Sequence, residues 1–189
     1  MKYAITGTIG SGKSEVSKYL RQKGYHVFDC DKYNAYLLEK DNAGYRLVKE
    51  YFLDCFDGDN LDKKKLANII FNNLEKKKKL ESLLHPLIFE EIKKESNMYN
   101  PFFAEVQLLF ETGMDKYFDY KLLIVSDKNI TFDRLLKRGM NKEDIERRIN
   151  NQMSAKDKIE RSDGIIYNNL DLIYLYRQID LWLKKYVGQ

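Results

Sequence analysis

The sequence predicts an α/β fold in three layers, α/β/α, around a parallel sheet of about five strands. Three observations predict it: short, continuous apolar runs of the kind found in strands covered on both faces, helical periodicity between them, and a strand, glycine loop and helix at the amino terminus. Residues 3–6 are a buried run entering Gly7-Thr8-Ile9-Gly10-Ser11-Gly12-Lys13-Ser14, after which Val16, Tyr19 and Leu20 recur at helical spacing. Gly24 ends that helix and residues 25–29 read as a second strand, so the first 30 residues form a βαβ unit with a parallel pair. From residue 32 to about 97 the pattern is helical and charged, with Leu47, Val48, Tyr51 and Phe52, then Leu66, Ile69 and Ile70, then Leu80, Leu84, Leu87 and Ile88. Residues 102–106 and 122–125 are two further central strands, and 165–167 a weaker fifth. Helices are predicted at 128–138, 142–152 and 170–187, the last with Ile173, Tyr176, Ile179 and Leu183 on one stripe.

Composition narrows the class. With 189 residues, 43% apolar and only 2 Pro, the chain reads as one helix-rich domain and not as a disordered or fibrous one. A net charge of +4, from 33 basic and 29 acidic residues, is too balanced to indicate nucleic-acid binding. Cys30 and Cys55 make neither a C-x-x-C pair nor a metal-ligand cluster. No stretch has the length of a signal peptide's apolar region or of a membrane span. These features lead us to expect a reduced, cytoplasmic monomer with small-molecule substrates, and neither a nucleic-acid nor a membrane partner.

Gly7 to Ser14 matches G-x-x-x-x-G-K-[ST], and a strand before and a helix after complete its context. In such a loop small residues let backbone N–H groups turn inward around a phosphate, and the helix amino terminus adds the positive end of its dipole. Lys13 is placed for the β- and γ-phosphates of a nucleoside triphosphate, and the Ser14 hydroxyl for Mg2+. A plain glycine-rich turn needs neither the lysine nor the hydroxyl.

The second strand ends in Asp29-Cys30-Asp31. If it continues through Asp31 beside the loop strand, both carboxylates share one side, one to take the proton of an attacking hydroxyl and the other to orient a magnesium-bound water. The competing reading makes Asp31 a helix cap. Of 8 Arg in the chain, five (Arg134, Arg138, Arg147, Arg148 and Arg161) fall between residues 134 and 161. An even spread would leave about one there. Arg134 and Arg138 are four apart and share a helix face, Gly139 is a helix stop, and Arg147 and Arg148 ride the next helix. That arrangement suits a lid closing on a transferring phosphate, with Glu143, Asp144 and Glu146 pairing one of the last two.

Taken together, these residues resemble the dephospho-CoA kinase family along nearly the whole chain. The loop is similar to T-G-G-I-G-S-G-K-[ST], Asp29-Cys30-Asp31 to D-A-D, and Leu84-His85-Pro86-Leu87-Ile88 to H-P-x-I. Asp57-Gly58 with Leu61-Asp62 and Leu66 continues the order, as do Leu108-Leu109-Phe110-Glu111, Gln152, and Ser162-Asp163 with Ile166 and Asn168. The resemblance implies a P-loop kinase, transferring the γ-phosphoryl group of ATP to the ribose 3′-hydroxyl of dephospho-CoA. It implies Asp31 as general base, Lys13 and Arg138 as stabilisers of the transferring group, and Mg2+ held by Ser14 and, through water, Asp29. It also implies nucleotide contacts from Gly7, Gly10, Ser11, Gly12, Lys13, Ser14, Glu15, Arg134 and Asn168, and acceptor contacts from Asp31, His85 and Leu109. The core would then be 1–57, 97–138 and 153–189, with a helical acceptor subdomain at 58–96 and the lid at 139–152. Thr8, Glu15, Lys63 and Gln107 depart from the family pattern.

Two rival classes remain open from the residues alone. Another small-molecule or nucleoside monophosphate kinase would keep the loop, the acids and the lid. A GTP-dependent switch would need an N-K-x-D element that Ser126-Asp127-Lys128-Asn129 does not supply.

Overall fold

In a computed structural model, which describes residues 1–188, the chain divides into two units, Met1–Asp29 with Met98 onward, and Cys30–Asn97. The first holds the five predicted strands: β1 (Lys2–Gly7), β2 (Val27–Asp29), then β5 (Phe102–Glu105), β6 (Tyr120–Val125) and β7 (Gly164–Tyr167). All pair in parallel, in the order β2-β5-β1-β6-β7. Two expectations are corrected here. The second strand does not lie beside β1, because β5 pairs with both and separates them. Nor does that strand run through Asp31: it stops at Asp29, and Cys30 opens a helix.

Side chains alternate across the sheet, and both faces are buried. Tyr3, Ile5, Phe103, Leu122, Ile124 and Ile166 pack with Val16 and Leu20 of α1 (Lys13–Gln22) and with Leu175, Ile179, Trp182 and Leu183 of the C-terminal helix α9 (Leu172–Tyr186). Their neighbours of opposite phase, Ala4, Phe102, Ala104 and Leu123, are equally buried. A parallel sheet requires this, since each crossover lays a helix on a face. The remaining helices of this unit are α6 (Lys128–Lys137), α7 (Lys142–Asn150) and α8 (Ala155–Glu160). Gly139, at φ +83°, closes α6 as predicted: its N–H donates to the Leu136 carbonyl and that of Met140 to Leu135, the paired bonds of a left-handed helix stop.

The second unit is α2 (Cys30–Leu37), α3 (Ala43–Tyr51), a two-residue hairpin β3 (Phe56–Asp57) and β4 (Asn60–Leu61), α4 (Lys63–Asn72) and α5 (Leu74–Met98). It begins at Cys30, well before the boundary near residue 58 expected from the sequence. The reason is packing: Val48 and Phe52 share a core with Cys55, Leu66, Leu80 and Leu84, and Gly44 lies so close to Leu84 that a Cβ there would sit 2.9 Å from its Cδ2. Asp62 caps α4 by accepting from the Lys64 and Lys65 N–H groups. Both cysteines are buried. Among the described residues no helix is long and apolar enough to cross a membrane.

Candidate functional site

Every strand of the sheet delivers something to its carboxyl edge. The loop follows β1 directly and bends back through two left-handed glycines, Gly10 at φ +76° and Gly12 at φ +103°. Glycine is required at the second of these twice over. A side chain would be strained at that φ, and a Cβ there would lie 2.1 Å from the Asn168 amide nitrogen. Gly12 is also the residue that opens α1, and no side chain caps the helix there. A helix start of this kind suits an anion. Lys13 is buried, and its Nζ donates to the carbonyls of Gly7 and Thr8, both at 3.2 Å.

Beside the loop, β5 ends in Glu105, a buried carboxylate. Its Oε1 accepts the Ser14 hydroxyl at 2.8 Å. Asp29, the last residue of β2, stands directly opposite Glu105 in the parallel register. A hydroxyl and two carboxylates are therefore gathered at adjoining strand ends. All are hard oxygen donors, the class that Mg2+ prefers. Among the described residues no cluster of three or more His, Cys, Asp and Glu is arranged to cage a metal.

On the other side of the loop, residues just past β6 and β7 brace its backbone. Asn168 is buried, and its amide donates to the Ser11 carbonyl at 2.8 Å. The Ser126 hydroxyl bridges the Ser11 and Asn168 carbonyls at 3.1 and 2.7 Å. Arg134 then closes the group, with Nη1 donating to the Ser126 hydroxyl at 2.9 Å and Nη2 to Asn168 Oδ1 at 3.4 Å. Burial, and after it the charge of Arg138, lowers the Arg134 guanidinium from its usual range. No carboxylate appears among these partners, so the group presents a positive charge fixed by neutral oxygens beside the phosphate loop.

The segment after α7 is fastened in two places. Gln152 Oε1 accepts the Ile9 N–H at 2.9 Å. The next residue, Met153, donates its N–H to Glu111 Oε1 at 2.9 Å, and the same oxygen pairs with Lys158 Nζ at 2.9 Å. Lys158 has no exposed side-chain surface. Two of the clustered arginines are engaged in ion pairs: Arg147 with Asp144, as expected of one of the α7 pair, and Arg161 with Asp115 at 2.9 Å.

The predicted site residues thus fall into three groups. Gly7, Gly10, Ser11, Gly12, Lys13, Ser14, Asp29, Arg134 and Asn168 come together at the sheet edge, and Arg138 stands exposed at the end of α6. Asp31 and His85 lie in the second unit, Asp31 exposed in the first turn of α2 and His85 half-buried in α5 with its ring 5.9 Å from Phe89. Because β2 stops at Asp29 and Asp31 belongs to α2, the extended-chain argument for a paired Asp29 and Asp31 does not hold. Leu109 and Glu15 make up the third group. Leu109 is fully buried. Glu15 accepts a hydrogen bond from the Tyr176 hydroxyl of α9, and its N–H already donates to the Gly12 carbonyl within the helix.

The residues that sequence reasoning missed are Glu105, Ser126 and Lys158. Glu105 carried a readable signal, a lone acid ending the apolar run Phe102-Phe103-Ala104.

Known proteins resemble this chain over most of its length. A family model described as dephospho-CoA kinase matches residues 1–173. A dephospho-CoA kinase of Fusobacterium nucleatum is 36% identical over 184 residues, covering 95% of each chain, and one of Aquifex aeolicus is 34% identical over 183 residues, covering 94% of this chain and 93% of its own. Among solved structures, a dephospho-CoA kinase from Campylobacter jejuni superimposes with a TM-score of 0.71 at 25% identity over 100% of this chain and 99% of its own. A Thermus thermophilus protein, TT1252, gives 0.89 at 31% identity over 100% and 98%. Shikimate kinase from Bacteroides thetaiotaomicron, at 11% identity and 0.57 over 98% and 97%, shares the fold.

Proposed function

Since the chain belongs to the dephospho-CoA kinase family, and so is an ATP-dependent kinase of dephospho-CoA, we propose how its own residues divide that reaction. The γ-phosphoryl group of ATP passes to the ribose 3′-hydroxyl of dephospho-CoA, giving coenzyme A and ADP. The acceptor rests on the family match, and the observation that supports the division of roles is the hydrogen bond between Ser14 and Glu105, which joins the loop that receives the phosphates to the acidic end of the sheet.

The loop backbone and the α1 amino terminus cradle the phosphates, and Lys13 neutralises charge on the β- and γ-oxygens. Ser14, Glu105 and Asp29 are the residues that would hold Mg2+, whose preference is for hard oxygen donors of this kind. When bound, the ion offsets charge on the phosphate oxygens. Asp31 takes the proton of the 3′-hydroxyl as that oxygen attacks the γ-phosphorus and the bond to the departing ADP oxygen breaks. It is the exposed acid just past the carboxyl edge of β2, which supports that role. Arg138 meets the transferring group, and Arg134, held by Ser126 and Asn168, adds fixed positive charge behind the loop. The helices of Cys30–Asn97, with His85, bind the acceptor, and residues 139–152 form the lid.

The test is ADP release measured with dephospho-CoA and with a panel of nucleosides, nucleoside monophosphates and small alcohols. Release with dephospho-CoA alone is the expected result, and release only with another acceptor would refute the assignment. For the base, Asp31→Asn should cut turnover by about 10²-fold or more with ATP affinity kept. Unchanged turnover would remove Asp31 from the mechanism.

A further inference from the structure

The bond from Ile9 N–H to Gln152 acts on a single peptide group, the one joining Thr8 to Ile9. Its N–H donates to Gln152 Oε1 at 2.9 Å. Its carbonyl, on Thr8, accepts from Lys13 Nζ at 3.2 Å and from the Ser11 N–H at 3.2 Å. A trans peptide is planar, and its N–H and C=O point in opposite directions. Whatever fixes one therefore aims the other.

We propose that Gln152 is a positioning residue for phosphoryl transfer: by holding the Ile9 N–H it orients the Thr8 carbonyl, and through that carbonyl it places the ammonium of Lys13. The inference rests on the nucleotide-binding reading of the loop and adds to it a residue from the far end of the lid segment. The next peptide begins the left-handed Gly10, so the backbone here has a flexible neighbour and needs an external partner to keep one orientation. The glutamine is itself delivered from a secured backbone. Its neighbour Met153 is bound to Glu111, and Glu111 to the buried Lys158. Without the Gln152 oxygen, the Thr8–Ile9 peptide is held from its carbonyl side by Ser11 and Lys13 and can tilt through the ψ of Thr8 and the φ of Ile9, which misaims the carbonyl at Lys13.

Two substitutions test this. Gln152→Met keeps the length of the side chain and removes the acceptor; Gln152→Glu keeps an acceptor oxygen. We expect Gln152→Met to lower kcat about tenfold, with the KM for dephospho-CoA within about twofold and the melting temperature nearly unchanged, and Gln152→Glu to recover to within about threefold of the parent. Acceptor-free ATP hydrolysis should fall in parallel in the Met variant. That readout needs no dephospho-CoA, so an error in the acceptor would leave it intact while an error about Gln152 would not. Parental kcat in Gln152→Met, or a Gln152→Glu enzyme as slow as the Met variant, would overturn the proposal.

Discussion

The two ends of the sheet are made from the same strands and have opposite characters. At the amino ends of β1, β5 and β6, Tyr3 stacks on Phe103 with ring centroids 5.1 Å apart, Tyr120 lies 5.8 Å away, and Trp182 of α9 meets Tyr3 edge-on at 5.6 Å. The Tyr3 hydroxyl finishes the cluster by donating to the Tyr186 carbonyl at 2.7 Å. At the carboxyl ends of the same strands come the phosphate loop, Glu105 and Ser126. β1 has 6 residues, a span of about 20 Å, so the apolar and polar ends are well separated. One end accumulates buried aromatic area and edge-to-face contacts, which stabilise the fold. The other gathers charges and left-handed glycines, whose ordering costs conformational entropy and serves binding. The chemistry is carried by an end of the sheet that does little to hold it together.

If that division holds, changes at one end should leave the other nearly untouched. The largest effect belongs to Gly12→Ala, which forces a Cβ against Asn168 at a left-handed φ; turnover should fall about 10³-fold, with the unfolding midpoint shifted only modestly. A large loss of stability in this variant would show that the loop braces are part of the core. Next, Trp182→Ala should cost about 3–5 kcal/mol in denaturant unfolding, while kcat of the folded enzyme stays within about threefold. A collapse of kcat there would erase the distinction between the ends. Glu105→Gln comes third: the Mg2+ concentration for half-maximal rate should rise about tenfold, with thermal stability near the parent. An unchanged Mg2+ requirement would take Glu105 out of the metal site.

The smallest effect is a pH dependence to which the aromatic end contributes. Burial pushes the Tyr120 hydroxyl up to about 12, and burial also raises Tyr3 and Tyr25. A phenol harder to ionise when folded favours the folded state while neutral. That contribution is complete below about pH 10 and is lost as the pH climbs through 10 to 12. A base titration of unfolding, followed together with tyrosinate absorbance, should show both changing in this window. Ionisation of all tyrosines near pH 10 without unfolding would contradict it.

The strands were legible because each is an unbroken apolar run, and the loop because its glycines, lysine and serine stand at fixed offsets. Strand order was not. Nothing local in residues 25–29 tells that their partner lies at 103–105 and not at 3–6, since register is decided by pairing across the chain. α8 escaped notice because its six residues, Ala155–Glu160, hold a single large apolar side chain; its Ser154 and Asp157 caps were the readable trace. Lys158 was illegible in principle, since lysine is ordinarily a surface residue and only a buried partner such as Glu111 makes it otherwise. The early start of the second unit was hidden for a similar reason. Amphipathic helices declare that they pack, but not against what.

The bracing of the phosphate loop also bears on the order in which the protein is made. Ser14 waits for a partner 91 residues downstream, Ile9 for one 143 residues away and Ser11 for one 157 residues away. The loop is synthesised before the residues that brace it and is completed only after them. Contacts this distant in sequence are closed late and slowly. During synthesis the nascent chain therefore carries the ATP-binding motif long before it has a functioning nucleotide site, and nucleotide capture marks the end of folding.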